Sequence, residues 1–249
     1  MPDPTRAPSS VDAETSAFAQ MDATPANHFA LHVHAGVYAV LAFVRTLNEQ
    51  TGERDLVDEH PFLRQYLAED LRFMPDDLTW SEGGAWWWRQ IRCWEGAADR
   101  HLPLRTLSTD LGLSTPQRLA FVLAGLIEED ARFGTLFATL QAPVSSRRPT
   151  VELLGRIVQH VDADVDGWAA CRPLVEKRLV TVVDRSRPRA EWGLRVPVLL
   201  WTAARGERPT TIEGEGVDGQ IRQRAQAPDF DDLILPDEAD ERLRRVPQL

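Results

Sequence analysis

The chain has 249 residues, 43% of them hydrophobic and 27% charged, and a formal net charge of −10. That composition excludes fibrous and wholly disordered classes, and it supplies apolar surface for one sizeable core or two small ones. The acidic balance disfavours general affinity for nucleic acid, because binding phosphates rewards a dense set of cations that displace counterions.

Residues 1–27 carry Pro2, Pro4, Pro8 and Pro25 in a Ser/Thr/Ala-rich filling and read as a disordered leader. Asn27 can cap a helix in which Val33, Val37, Val40, Val44 and Leu47 repeat at fours and threes, and Gly52 can end it. Pro61 starts a second helix that packs through Phe62, Tyr66 and Phe73 and stops at Pro75, and Ser81 opens a third that runs to about residue 100. Pro103 begins a helix that Gly112 terminates; Ser114 or Thr115 caps the next, and helices continue to about Gln141. This organisation predicts a helical domain over 28–142.

A further helix is expected from Pro149 to about His160, and Asp166 can cap another through Arg178. LVTVV and WGLRVPVLLW read as two strands flanking RSRPRAE, with Pro197 at an edge or a strand end. Two helices and a hairpin make 143–209 a winged-helix-like domain, and 210–249 a linker and connector in which Leu233–Val246 can form a short helix. The predicted fold class is therefore mainly α: an N-terminal helical bundle followed by a winged-helix-like α+β unit with one β-hairpin.

Cys93 and Cys171 lie far apart and no secretory signal precedes them, which fits reduced core thiols in a cytoplasm. The longest apolar run, Ala35–Val44, reaches only about half the span of a bilayer, so membrane insertion is not expected. His28 and His32 share a helix face, but His34 does not, and no cysteine or carboxylate is placed in sequence to complete a shell; no metal or other cofactor is expected. His60, His101 and His160 fall at predicted helix ends, and no nucleophile stands in a G-x-S-x-G setting, so no catalytic residue is expected.

Two features stand out as candidate interaction residues. Successive helical side chains point about 100° apart, so Trp86, Trp87 and Trp88 cannot all face one narrow core stripe. Trp87, Ile91 and Trp94 form the expected core row, which leaves Trp86 and Trp88 for a second layer or a partner. Residues 143–209 hold 12 basic and 8 acidic residues, the one locally basic unit, with Arg185, Arg187 and Arg189 on the predicted wing. Leu104–Leu126 has a helix–Gly turn–helix pattern, but only Gln117 and Arg118 are available at the N-terminal turns of a reading helix, which favours a core hairpin.

The most informative stretch is GLIEEDARFGTLFATLQAPVSSRRPTVELLGRIV, Gly125–Val158. Leu126, Phe133, Phe137 and Leu140 give it an apolar stripe, with Glu128, Glu129, Asp130 and Arg132 on a solvated or interdomain face. This stretch, RAEWGLRVPVLLWTAARGE (Arg189–Glu207) and DFDDLILPDEADERLRR (Asp229–Arg245), taken in order, resembles the region ahead of the motor in AAA-type ATPases associated with extracellular contractile injection systems, the phage-tail-like particles. The resemblance covers about residues 102–245.

The resemblance implies a ring-forming ATPase parent and, for this chain, a noncatalytic module that recognises particle components or substrates for assembly or remodelling. A phosphate cradle of the G-x-x-x-x-G-K-[ST] type is not in the sequence, and Lys177 is the only lysine. ATP and Mg are accordingly expected only on a downstream motor, and a ring oligomer only with that motor; the chain is expected to be an isolated N-terminal region or a relative that lost it. Partners are expected to be proteins. A winged-helix DNA-binding regulator is the alternative reading, and a structural component of the particle a third.

Overall fold

The helix expected from the Val33–Leu47 repeat is the longest element and the centre of the fold. The computed structural model describes residues 16–52 and 56–208, and the expected linker and connector over 210–249 lie outside them. Helix α1 spans Pro25–Thr51. Thr24, not Asn27, caps it: Thr24 is extended and its Oγ1 accepts the Asn27 N–H at 3.2 Å, while Pro25 takes the first turn, where a missing N–H costs nothing. Gly52 closes it in the left-handed region at φ 62°, where glycine carries no Cβ penalty.

Around α1 stand α2 (Leu56–Glu59), α3 (Phe62–Asp70), α4 (Trp80–Ala97), α5 (Pro103–Asp110), α6 (Thr115–Glu129), α7 (Arg132–Leu140), α8 (Val151–Val161), α9 (Gly167–Glu176) and α10 (Val198–Ala204). By length and composition Pro25–Gln50 could cross a membrane, which the short apolar run of the sequence had concealed. In the fold, α1 packs against α3, α4, α6 and α8, and Val37, Val40 and Val44 are fully buried. Its apolar surface is covered by protein, as in a core helix.

The expected leader is packed from Ser16 onward. Ser16 Oγ donates to the Gln90 carbonyl at 3.0 Å, the Ala17 N–H donates to Gln90 Oε1 at 2.7 Å, and Phe18 stacks on Trp87 with centroids 5.1 Å apart. The aromatic at position 18 supplies the buried area that the Ser/Ala-rich composition around it lacks.

The apolar stripe of Gly125–Leu140 is divided between two helices, α6 and α7. Asp130 is extended (φ −146°), and its carboxylate accepts the Arg132 N–H at 2.9 Å, so the local side-chain bond starts α7 anew. Leu126, Phe133, Phe137 and Leu140 are nonetheless all buried. Beyond α9, β1 (Thr181–Val183) pairs antiparallel with β2 (Gly193–Arg195) in the register Val182↔Leu194. The second strand is shorter than expected. Pro197 cannot donate to a ladder; it ends the extended run, and Val198–Ala204 turns into α10, which buries Trp201 against Phe29 and Phe121.

The core runs across the expected 142/143 boundary: α8 packs on α1, α4 and α6 as well as on α9, and the described residues fall in one unit by contact. Burial lowers the pKa of His60 and of His160 below the ordinary 6.5, opposed only in part by Glu59 beside the first and by the Ala42 backbone beside the second. Folded protein takes up these protons less readily than unfolded chain, so their contribution is whole above the unfolded value and is lost as pH falls through it. Stability measured by urea unfolding is expected to drop between about pH 7 and pH 5, and His60→Phe to remove part of the drop. Equal urea midpoints at the two pH values would contradict this.

Candidate functional site

Two places gather the chemistry of the chain, and the first was not expected. His28 and His32 stand one turn apart on α1 with both side chains fully buried, and Glu95 reaches them from the last turns of α4. Nε2 of His28 lies 2.7 Å from Glu95 Oε1, Nε2 of His32 lies 3.3 Å from the same oxygen, and the two Nε2 atoms are 3.1 Å apart. This corrects the expectation that no carboxylate completes a shell: the partner sits more than sixty residues downstream and arrives only through helix packing.

The walls of this centre are aromatic. His28 stacks on Trp94 at 5.9 Å and His32 meets Trp88 at 5.3 Å. Arg118, from the first turn of α6, places its guanidinium 5.5 Å over Trp88 and 3.6 Å from Glu95 Oε2. Arg118 thus spends its charge inside the fold rather than on a DNA-reading face. Burial holds His32 down to about 4, against the pull of Glu95, so its imidazole is neutral near neutral pH. Burial also opposes ionisation of Glu95, but the bonds from His28 and His32 outweigh it and keep the carboxyl below the usual range. A cleft lined by Arg92, Arg105, Ser108 and Leu113 opens onto Glu95 and Arg118.

Nearby, His34 points away from this centre to Asp70 at 2.5 Å, and burial pushes the Asp70 carboxyl up despite that bond. Burial likewise pushes the Cys171 thiol up to about 12, the behaviour of an inert core cysteine.

The second place is the hairpin and its base. Of the stretches that carried the family resemblance, Gly125–Val158 and Arg189–Glu207 are joined here by direct hydrogen bonds; Asp229–Arg245 lies outside the described residues. Gln141 accepts the Thr150 N–H at 3.0 Å and donates to the carbonyls of Ser146 and Arg148, and Arg148 pairs with Glu128 at 2.6 Å. The Val151 N–H donates to the Trp192 carbonyl at 3.0 Å and the Leu194 N–H to Pro149 at 2.9 Å. Glu129 accepts from Trp201 Nε1 and pairs with Arg205 at 2.6 Å, tying α10 to α6. Each carboxylate of the acidic cluster is engaged: Glu128 by Arg148, Glu129 by Arg205 and Asp130 by Arg132.

The candidate interaction residues divide. Trp86 and Trp88 are 5% and 4% exposed, so neither offers a docking surface. Trp86 is covered by Phe18 and Trp87, and Trp88 by His32 and Arg118; α4 is sandwiched on two sides, so of the two outcomes left open by helical periodicity, a second layer or a partner, the fold supplies the second layer. Arg185, Arg187 and Arg189 do lie on the hairpin loop and are exposed. Arg187 is held by Asp184 at 2.7 Å and Glu191 at 3.6 Å, and Arg189 lies over the Trp168 ring at 4.7 Å. Beside that stack a groove of about 350 Å³ runs between α8 and α9, bordered by Glu152, Arg156, Trp168 and Arg189.

No protein-family model, curated protein or solved structure matches this chain.

Proposed function

We propose that the chain is a noncatalytic protein-interaction module of the kind its motifs resemble, one that recognises components or substrates of a contractile injection particle. The reading is carried by the way the motif stretches meet. Gln141 bonds to Ser146, Arg148 and Thr150, Arg148 pairs with Glu128, and Pro149 and Val151 bond in turn to residues 192–194, so stretches that are separate in sequence join the hairpin and α8 to the helical body. A motif set whose polar groups satisfy one another is built to hold a surface in place. The surface so held is the hairpin loop with the Trp168–Arg189 groove. It presents aromatic and arginine side chains together, the composition favoured at interface hot spots.

Co-sedimentation of the full chain with purified contractile particles tests this. Binding is expected, and Trp168→Ala combined with Arg189→Glu is expected to weaken it by about tenfold or more while leaving the circular dichroism unchanged. No co-sedimentation at low salt would overturn the reading. Salt-dependent capture of duplex DNA, lost on replacing Arg185, Arg187 and Arg189, would replace it with the regulator, although two of those three arginines are already engaged within the hairpin unit.

A further inference from the structure

We propose that His28, His32 and Glu95 bind one divalent transition-metal ion of the zinc class, with Nε2 of each histidine and Oε1 of the glutamate as its three protein ligands. The three ligand atoms lie within 4.8 Å of one another, at 2.7, 3.1 and 3.3 Å pairwise. A tetrahedral ion with ligands at about 2.0–2.2 Å places those ligands about 3.3 Å apart. The triangle already has nearly that size, so an ion enters with shifts of a few tenths of an ångström. Two histidines four apart on one helix give the same-face pair that metal helices use, and a carboxylate from a second helix completes a set of two imidazoles and one carboxylate.

Proton accounting points the same way. If both Nε2 atoms carried hydrogen, two N–H groups would face each other across 3.1 Å. If one is bare, a single N–H is left to serve two acceptors at once, the bare Nε2 and the carboxylate oxygen. A divalent cation satisfies all three acceptors at once and moves each imidazole proton to Nδ1; the cost is that neither buried Nδ1 has an acceptor among the described residues. Arg118 approaches Oε2 rather than Oε1, which leaves the converging oxygen available. Imidazole with a single carboxylate selects zinc, copper, nickel or iron over the oxygen-seeking magnesium and calcium. The cleft beside Arg118 reaches one of the three ligands, Glu95. Phe29 stands where the general-base glutamate of an H-E-x-x-H metalloprotease helix would be, so the proposed role is binding and not hydrolysis.

The full chain, treated with chelator and then titrated with Zn²⁺ and with Co²⁺, tests the site. Uptake of one equivalent is expected, with the intense visible absorption of tetrahedral Co²⁺ that Zn²⁺ displaces. Glu95→Gln and His32→Gln are expected to weaken Zn²⁺ binding by about 100-fold or more. Should either variant fail to fold, nitrogen NMR of the wild-type imidazoles decides: Zn²⁺ is expected to shift Nε2 of His28 and His32 while leaving His101 unchanged. Failure of the wild type to take up Zn²⁺, undiminished binding in a folded Glu95→Gln variant, or a Zn²⁺ shift at other histidines only would each overturn the proposal.

Discussion

Trp87→Ala is expected to destabilise the protein by about 4 kcal/mol, within the usual 3–5 kcal/mol for emptying a buried aromatic site. Trp87 is fully buried and is the meeting point of the aromatic cluster: Phe18 stacks on it at 5.1 Å, His34 lies parallel at 6.2 Å, and Trp86 and Phe73 meet it edge-on at 5.5 and 6.2 Å. Removing it takes contacts from α1, from the 70–75 turn and from the Ser16–Thr24 segment together. Trp87→Phe should cost far less, about 1 kcal/mol, since a ring remains and the buried Nε1, which has no partner among the described residues, is removed. Urea unfolding measures both, and hydrogen exchange should show the Phe18 segment released first in Trp87→Ala. A loss below about 1 kcal/mol for the alanine variant would mean that Trp87 does not organise this core.

Gly167→Ala is expected to cost about 3 kcal/mol, at the upper end of ordinary overpacking. A Cβ there would sit 2.5 Å from the Gly155 Cα, and one on Gly155 would sit 3.0 Å from the Gly167 Cα. Both obstacles are backbone, so no side chain can swing aside; α8 and α9 must separate. The reciprocal variant is milder. Gly155 lies inside α8, where alanine gains about 1 kcal/mol of helix propensity against the strain, whereas Gly167 opens α9 and gains less. Gly96→Ala, at a helical glycine with open space around it, should be neutral or slightly stabilising and serves as the control. The three urea midpoints should rank Gly96→Ala above Gly155→Ala above Gly167→Ala; a wild-type midpoint for Gly167→Ala would contradict the close crossing.

Much of the fold was legible because its signals are local. Ser114 and Asp166 cap the helices expected of them, Gly52 and Gly112 terminate theirs with φ of 62° and 60°, and two strands flank the arginine loop. Each of these depends on a few neighbouring residues. The errors arose where one local pattern fits two structures. VPVLLW is an apolar run that serves as strand or buried helix equally well; Pro197 ends the extended part, and the helix that follows packs Trp201 over Gly125, where any side chain would collide with the indole. The Ser/Ala-rich leader hid one aromatic, Phe18, whose value depends on the Trp86–Trp87 surface awaiting it.

The candidate sites divide by the same rule. The hairpin arginines were legible, since a turn between two strands places its residues outside. The histidine–glutamate centre was half legible: the four-residue spacing of His28 and His32 fixed their common face on α1, but nothing in the sequence around Glu95 marks it as their partner. Sequence alone determined the helical class and the antiparallel hairpin beyond α9, because capping, periodicity and turn chemistry act over a few residues. Tertiary structure alone decided which of the three tryptophans were covered, where the motif stretches meet, and that two imidazoles and a carboxylate converge within hydrogen-bonding distance, because each depends on how α1, α4, α6 and α8 pack across long separations in the chain.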